Sequence, residues 1–132
     1  MSATFKISNP LTTEFVNDFL NGDFTVQIDE EAFHAIEKCH NYLLKKIAEP
    51  GAIYYGINTG FGSLCDTQIN HDDLHQLQEN LLMSHACGMG ETVPDDVVRL
   101  MLLFKIKSLS LGYSGVKTET VQRLTDMLNN GL

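Results

Sequence analysis

The sequence predicts a mainly α-helical protein with a short pair of β-strands near its N-terminus. Most apolar residues recur three or four positions apart, as on one face of a helix. Strict alternation of apolar and polar residues is confined to two short stretches. A segment with four glycines, residues 51–70, interrupts the helical pattern and predicts a short strand that runs into a long ordered loop.

The first elements are two strands separated by a helix. Alternation predicts strands at Phe5–Ile7 and Phe24–Ile28, which we expect to pair. Between them, apolar side chains recur at helical spacing. Thr12 or Thr13 would cap that helix, and Asn21–Gly22 would end it.

Four further helices are predicted, over about residues 29–49, 70–87, 94–111 and 118–130. In the second of them, Asn70 is the expected cap, and Asp72 and Asp73 would lie in the first turn, where carboxylates favour the positive end of the helix dipole. Gly88 and Gly90 are the expected stop. Its expected buried face consists of Leu74, Leu77, Leu81 and Leu82.

The third of these helices, from Pro94 to Leu111, is apolar on most of its circumference. Such a helix is normally buried on nearly all sides. A chain of 132 residues has few elements with which to surround it. We therefore expect this helix to belong to a larger bundle or to the core of an oligomer.

Composition excludes several classes of protein. The chain has a formal net charge of -8, which disfavours nucleic acid and anionic membrane surfaces as partners. The three cysteines form no C-x-x-C pair, and the first ten residues do not resemble a signal peptide, so we expect a cytoplasmic protein. The length fits a single domain, residues 1–132.

Two groups of residues could carry chemistry. In the loop, glycines surround Tyr55 and end at Gly62; such backbone lets a ligand approach, and a tyrosine hydroxyl can exchange a proton. Ser84–His85 ends the next helix. From the residues alone, a structural turn and a structural histidine are the simpler interpretations. His71 and His75 have the spacing of a metal pair, but no third ligand is evident, and we favour a solvated helix turn.

Taken together, the two groups resemble the aromatic amino acid ammonia-lyase family. The resemblance runs from about Asp29 to the end, and rests on long motifs in order and at matching separations. These are YGINTGFGSLCDTQI, LQENLLMSHACGMG and VVRLMLLFKIKSLSLGYSGV. It implies a mostly helical homotetramer whose active sites draw on more than one subunit. It also implies that residues 51–70 are an active-site loop, and that residues 71–131 begin a central bundle.

By motif position, the resemblance implies that Tyr55, and not Tyr54, is the base that takes a β-proton from the substrate. The backbone N–H of Gly62 would lie at the reacting substrate. The Ser84–His85 doublet matches the histidine-specific branch, with His85 as an active-site residue, so the implied reaction is elimination of ammonia from L-histidine to give urocanate. Some tyrosine lyases and aminomutases keep a similar doublet and remain an alternative, as does a non-enzymatic assembly module with the same fold.

The family's electrophile, methylidene-imidazolone, is made from an internal Ala-Ser-Gly, and this tripeptide does not occur in the sequence. The resemblance puts it beyond Leu132. We therefore expect the chain to be the N-terminal part of a longer lyase, inactive by itself and prone to self-association.

Overall fold

The computed structural model describes residues 3–62, 65, 67, 69 and 73–131, and over these residues the protein is mainly helical, as the sequence predicts. The elements are β1 (Ala3–Lys6), α1 (Thr13–Asn21), β2 (Phe24–Gln27), α2 (Glu30–Ile47), α3 (Leu74–His85), α4 (Asp95–Ser110) and α5 (Thr118–Asn130). They group into two compact units, a first unit of residues 1–43 with 93–132 and a second unit of residues 44–92. Within the described ranges, each helix is too short or too polar to cross a membrane.

The predicted strand pair is confirmed, and it is parallel, with Phe5 opposite Val26. A parallel pair cannot be joined by a tight hairpin, and here α1 makes the crossover. The side chain of Thr12 caps α1 by accepting a hydrogen bond from the backbone N–H of Phe15. Pairing continues past β1, since the Ile7 N–H donates to the Gln27 carbonyl at 2.9 Å.

Aromatic rings fill the space between the strands and α1. The Phe15 ring stacks on Phe5 with centroids 3.7 Å apart and meets Phe24 edge-on. Phe19 is buried, and the Arg99 guanidinium of α4 lies 4.8 Å from its ring centroid. Arg99 also donates to the Phe19 carbonyl at 3.1 Å, which fixes α4 to the end of α1.

Helix α5 is joined to β2 by a side chain that acts as a strand partner. The Asn129 amide accepts from the Val26 N–H and donates to the Val26 carbonyl, both at 2.9 Å. These bonds satisfy backbone groups in the middle of β2 that would otherwise lack a protein partner on that edge. The buried faces of α4 and α5 complete the core, with Leu103, Ile106 and Val121 fully enclosed.

The turn between α4 and α5 depends on a glycine. Gly112 has a φ of 73°, and a Cβ there would lie 2.5 Å from the Ala35 carbonyl oxygen of α2. A side chain at this position would therefore push α2 away. The same turn is held at its other end by a 2.8 Å hydrogen bond between His40 Nδ1 and the Gly115 carbonyl.

Two charged side chains hold the turn that follows β1. The Lys107 ammonium of α4 donates to the carbonyls of Ile7, Ser8 and Asn9, at 2.8 to 3.1 Å. The Asp29 carboxylate accepts from the Ser8 N–H at 2.9 Å and, as the cap of α2, from the Ala32 N–H at 3.2 Å. Burial raises the pKa of Asp29, but these bonds outweigh it, so that the pKa lies below the usual 3.8.

We expect Asp29→Ala to lower the free energy of unfolding by about 1 kcal/mol at neutral pH, the usual cost of a lost helix cap. Because the folded-state pKa is depressed, the carboxylate's contribution is present above pH 3.8 and is lost as the pH falls through the folded-state value. Urea unfolding of wild type and variant should therefore converge in acid. Asp18→Ala, at an exposed position of α1, is the matched control. A difference that grows in acid would contradict this account.

Several boundaries differ from the sequence prediction. The short strand expected at the start of the glycine-rich segment is wrong, since residues 52–54 have no strand pairing and lead into a turn. Helix α3 ends at His85, before Gly88, and Leu82 is 68% exposed, contrary to the predicted buried face. Asn70 and Asp72 lie outside the described residues, and Asp73 precedes the helix without capping it through its side chain.

Candidate functional site

All four candidate residues lie in the second unit, Tyr55 and Gly62 in its turn-rich segment and Ser84 and His85 at the end of α3. Ser84 and His85 contact each other directly. Among the residues that the structure describes, no hydrogen bond or ring contact joins Tyr55 to His85.

The turn that carries Tyr55 is built around a buried amide. Asn58 is 9% exposed; its side chain accepts from the Tyr54 N–H at 2.8 Å and donates to the Ala52 carbonyl at 2.7 Å. Its backbone N–H donates to the Tyr54 carbonyl at 3.2 Å. Because the Asn58 side chain reaches back from the end of the turn and holds the backbone just before Tyr55, Asn58 fixes where Tyr55 emerges.

Gly56 and Thr59 complete this turn. Gly56 has a φ of 71°, which favours glycine, and its N–H donates to the hydroxyl of the fully buried Thr59 at 3.2 Å. That hydroxyl in turn donates to the Gly60 carbonyl at 2.9 Å. The buried polar atoms of the turn are thus satisfied by one another, as buried polar groups require.

Tyr55 itself is open to solvent, with 64% of its surface exposed. Its ring meets Phe61 edge-on at 6.1 Å between centroids. Gly62 follows with a φ of 59°, and a Cβ there would touch no described atom within 4 Å. The tyrosine ring is therefore oriented by a neighbour while its hydroxyl and the nearby glycine backbone stay accessible.

The segment closes on itself beyond this point. The Gly60 N–H donates to the Thr67 carbonyl at 3.1 Å, and the Ile69 N–H donates to the Asn58 carbonyl at 3.0 Å. Over the part that the structure describes, these bonds tie the return arm of the glycine-rich segment to the Asn58 turn. Its remaining residues, Ser63, Leu64, Asp66, Gln68 and Asn70, lie outside the described part.

The second half of the site is a group of three polar atoms in the last turn of α3. The Ser84 hydroxyl lies 2.9 Å from the Leu81 carbonyl and 2.9 Å from His85 Nδ1. His85 Nδ1 also lies 3.0 Å from the same carbonyl. Both side chains are exposed, so the far edge of the imidazole, with Nε2, is free to meet a ligand.

Asn58 and Thr59 hold the turn that carries Tyr55, and the sequence analysis did not single them out. Their only signal was an Asn-Thr-Gly run inside a segment without helical periodicity, which is compatible with any polar loop. Among the described residues, no group of three potential metal ligands occurs. His75 lies 3.6 Å from the Glu79 carboxylate and is exposed, and His71 lies outside the described residues.

The chain was compared with known families and proteins. The sequence model of the family described as "Aromatic amino acid lyase" matches residues 11–132, a range that contains both halves of the site. A histidine ammonia-lyase of Streptococcus gordonii is 42% identical over 92% of this chain. The chain spans only 24% of that relative's length.

Solved structures share the fold. Histidine ammonia-lyase from Trypanosoma cruzi aligns with 98% of this chain and 25% of its own, at a TM-score of 0.76 and 32% identity. Tyrosine aminomutase from Streptomyces globisporus aligns with 100% of this chain and 25% of its own, at a TM-score of 0.83 and 27% identity. The backbone geometry is thus common to proteins named for different reactions, and geometry alone does not choose between them.

Proposed function

This chain belongs to the aromatic amino acid lyase family, and on that premise we propose that it forms the N-terminal part of an enzyme that eliminates ammonia from L-histidine to give urocanate. The observation that carries the proposal is the 42% identity with a histidine ammonia-lyase over 92% of the chain, with Ser84–His85 at the end of α3. Residues 51–70 would be the active-site loop, and residues 71–131 the first helices of a central bundle.

In this proposal Tyr55 is the catalytic base. Its deprotonated hydroxyl takes a proton from the β-carbon of the substrate, and the electron pair of that C–H bond becomes the second bond between the α- and β-carbons. The bond from the α-carbon to nitrogen breaks with its electron pair on nitrogen, and the α-ammonium group leaves as ammonia. The exposed ring, held edge-on to Phe61, and the Asn58-centred turn support this role, because a general base must reach substrate from a fixed position.

The remaining site residues would bind substrate. The Gly62 N–H would face the reacting part of the amino acid, and the His85 imidazole would exchange a hydrogen bond with the substrate's ring. The positive φ of Gly62 and the open space around it support close approach. Ser84 belongs to the same binding group through its contact with His85.

The family's methylidene-imidazolone cannot be formed from this chain. The group derives from an internal Ala-Ser-Gly, and the 132 residues contain none. The residues present therefore cannot form this group. The electrophile would be supplied by a longer polypeptide that contains this chain, which we call the full-length polypeptide.

We expect the 132-residue chain alone to be inactive. Without an electrophile the β-proton stays weakly acidic and the amine is a poor leaving group. The purified chain is incubated with L-histidine while the absorbance of urocanate is followed, with the full-length polypeptide as the positive control. Sustained turnover by the chain at a rate close to that control would overturn the proposal that the electrophile comes from another part of the full-length polypeptide.

We further propose that the protein assembles through α4. Apolar side chains on one stripe of this helix are exposed to solvent. They include Met101, whose surface is 62% exposed, and Phe104, whose surface is 49% exposed, and Leu111 continues the stripe beyond the end of the helix. A second copy, or the later helices of the full-length polypeptide, would cover it, as the homotetramer implied by the family requires.

The free thiols of Cys39, Cys65 and Cys87 suit a reducing compartment, and we propose the cytoplasm.

We expect the isolated chain to self-associate through this stripe. Burying apolar surface stabilises contact by about 25 cal/mol per Å², and salt screens the opposing charge while leaving burial intact. Light scattering across a dilution and salt series should show a larger species, and Met101→Glu should weaken it. Glu119→Gln on α5, an exposed position away from the stripe, is the control. A strictly monomeric chain at every concentration and salt would contradict this.

A further inference from the structure

We propose that Ser84 is a positioning residue that holds the neutral imidazole of His85 in the tautomer with its proton on Nδ1. The inference rests on three atoms in the last turn of α3, the Ser84 hydroxyl oxygen, His85 Nδ1 and the Leu81 carbonyl oxygen. Each of the three lies within hydrogen-bond distance of the other two, at 2.9, 2.9 and 3.0 Å.

The Leu81 carbonyl decides where the protons go, because it can only accept. With a proton on Nδ1, the imidazole donates toward the carbonyl and the serine oxygen, while the serine hydroxyl donates to the carbonyl. Every short contact then contains a hydrogen. With the proton on Nε2 instead, Nδ1 presents a lone pair to the carbonyl oxygen 3.0 Å away. The Ser84 hydroxyl has a single hydrogen, so it can donate either to Nδ1 or to the Leu81 carbonyl, and the other of these contacts then contains no hydrogen.

The Nδ1–H form leaves Nε2 as an unprotonated acceptor at the exposed edge of the ring. The partner that fits it is a ligand that donates a hydrogen bond from its own ring, such as an imidazole N–H. A ring with no donor, such as a phenyl group, would leave Nε2 unpaired. This step rests on the proposed function, since it assumes that His85 faces the substrate.

Ser84 acts on that ligand through His85. Its one hydrogen is directed to the Leu81 carbonyl, and its oxygen accepts from Nδ1, so its hydrogen-bonding capacity is used within the turn. The tautomer of a histidine is commonly set by the bond that its other nitrogen makes. Here that bond is made within five residues of one helix, before any substrate is present.

The first experiment reads the tautomer directly and needs no activity. The 132-residue chain is labelled with ¹⁵N-histidine, and the His85 signals are identified by their loss in His85→Gln. At a pH where the ring is neutral, Nε2 is expected to resonate far downfield of Nδ1, as an unprotonated nitrogen does. His34 is an internal reference, because at 3.6 Å its Nε2 is too far from the Glu30 carboxylate for a hydrogen bond to fix its tautomer.

Ser84→Ala should lower the ratio of the Nδ1–H to the Nε2–H form by about threefold to tenfold, the factor expected for one modest hydrogen bond. Ser84→Thr keeps the hydroxyl and should keep the wild-type ratio. Ser108→Ala, an exposed serine of α4, controls for the general effect of the substitution. A wild-type ring with its proton on Nε2, or an unchanged ratio in Ser84→Ala, would overturn the inference.

The second experiment uses the full-length polypeptide. Ser84→Ala should raise KM for L-histidine by about tenfold with a smaller change in kcat, and Ser84→Thr should restore KM. A merely structural role would reduce the active fraction and leave KM unchanged, which would count against the inference. If the tautomer responds as expected but L-histidine is not a substrate, the positioning role stands and the proposed function fails.

Discussion

Replacing Tyr55 with phenylalanine is expected to lower kcat of the full-length polypeptide by about 10²–10⁴, the range that general base catalysis contributes. The ring is preserved, so its edge-on contact with Phe61 and the Asn58-centred turn should survive. KM for L-histidine should change little, because the lost hydroxyl acts in the transition state rather than in ground-state binding. Steady-state kinetics with urocanate detection measures both parameters.

Tyr54→Phe is the matched control for this experiment. The two tyrosines are adjacent, but Tyr54 contributes its backbone to the turn, donating to Asn58 and accepting from its N–H. Its phenylalanine variant should stay within about threefold of wild-type kcat, and so should a variant at the exposed Tyr113. A Tyr55 variant as active as these controls would assign the base elsewhere, and a larger loss at Tyr54 would move the assignment by one residue.

Changing the doublet at the end of α3 should change the substrate. With Ser84→His and His85→Leu together, the substrate's imidazole would face an apolar side chain and lose its ring partner. In the full-length polypeptide, where we expect the site to be closed off from water, leaving a polar group unpaired costs about 1–3 kcal/mol, or roughly fivefold to 150-fold in kcat/KM. The ratio of kcat/KM for L-histidine to that for L-tyrosine should fall accordingly.

His75→Leu is the control, because His75 is an exposed histidine in the first turn of the same helix. This variant should leave the ratio of kcat/KM for L-histidine to that for L-tyrosine unchanged. The control thus shows whether the effect is specific to the His85 imidazole or follows from the loss of any histidine on α3. If the doublet variant kept the wild-type ratio, His85 would have no role in selecting the substrate.

Local patterns predicted the elements of the first unit well. Thr12 caps α1, α5 runs from Thr118 to Asn130 as predicted, and the strands at Phe5 and Phe24 pair as expected, because each signal acts over a few neighbouring residues. Their parallel direction, which the sequence analysis did not predict, is made possible by the crossover helix between them.

The second unit was harder to predict, because its structure rests on individual polar contacts. Leucine spacing on α3 predicted a buried face, yet Leu82 is exposed, since periodicity says which residues share a face and not what covers it. The role of Asn58 requires knowing that its amide reaches Ala52 and Tyr54 at once. The orientation of His85 depends on a carbonyl oxygen, which every residue has and no sequence pattern marks.

The measurement that most directly tests the central claim is turnover of L-histidine by the full-length polypeptide, with L-tyrosine in parallel. Product is identified by its ultraviolet absorbance and by mass. The account predicts urocanate and ammonia in equal amounts from L-histidine, with a higher kcat/KM than for L-tyrosine. Conversion of L-tyrosine to a cinnamate or a β-amino acid, with no urocanate from L-histidine, would contradict it.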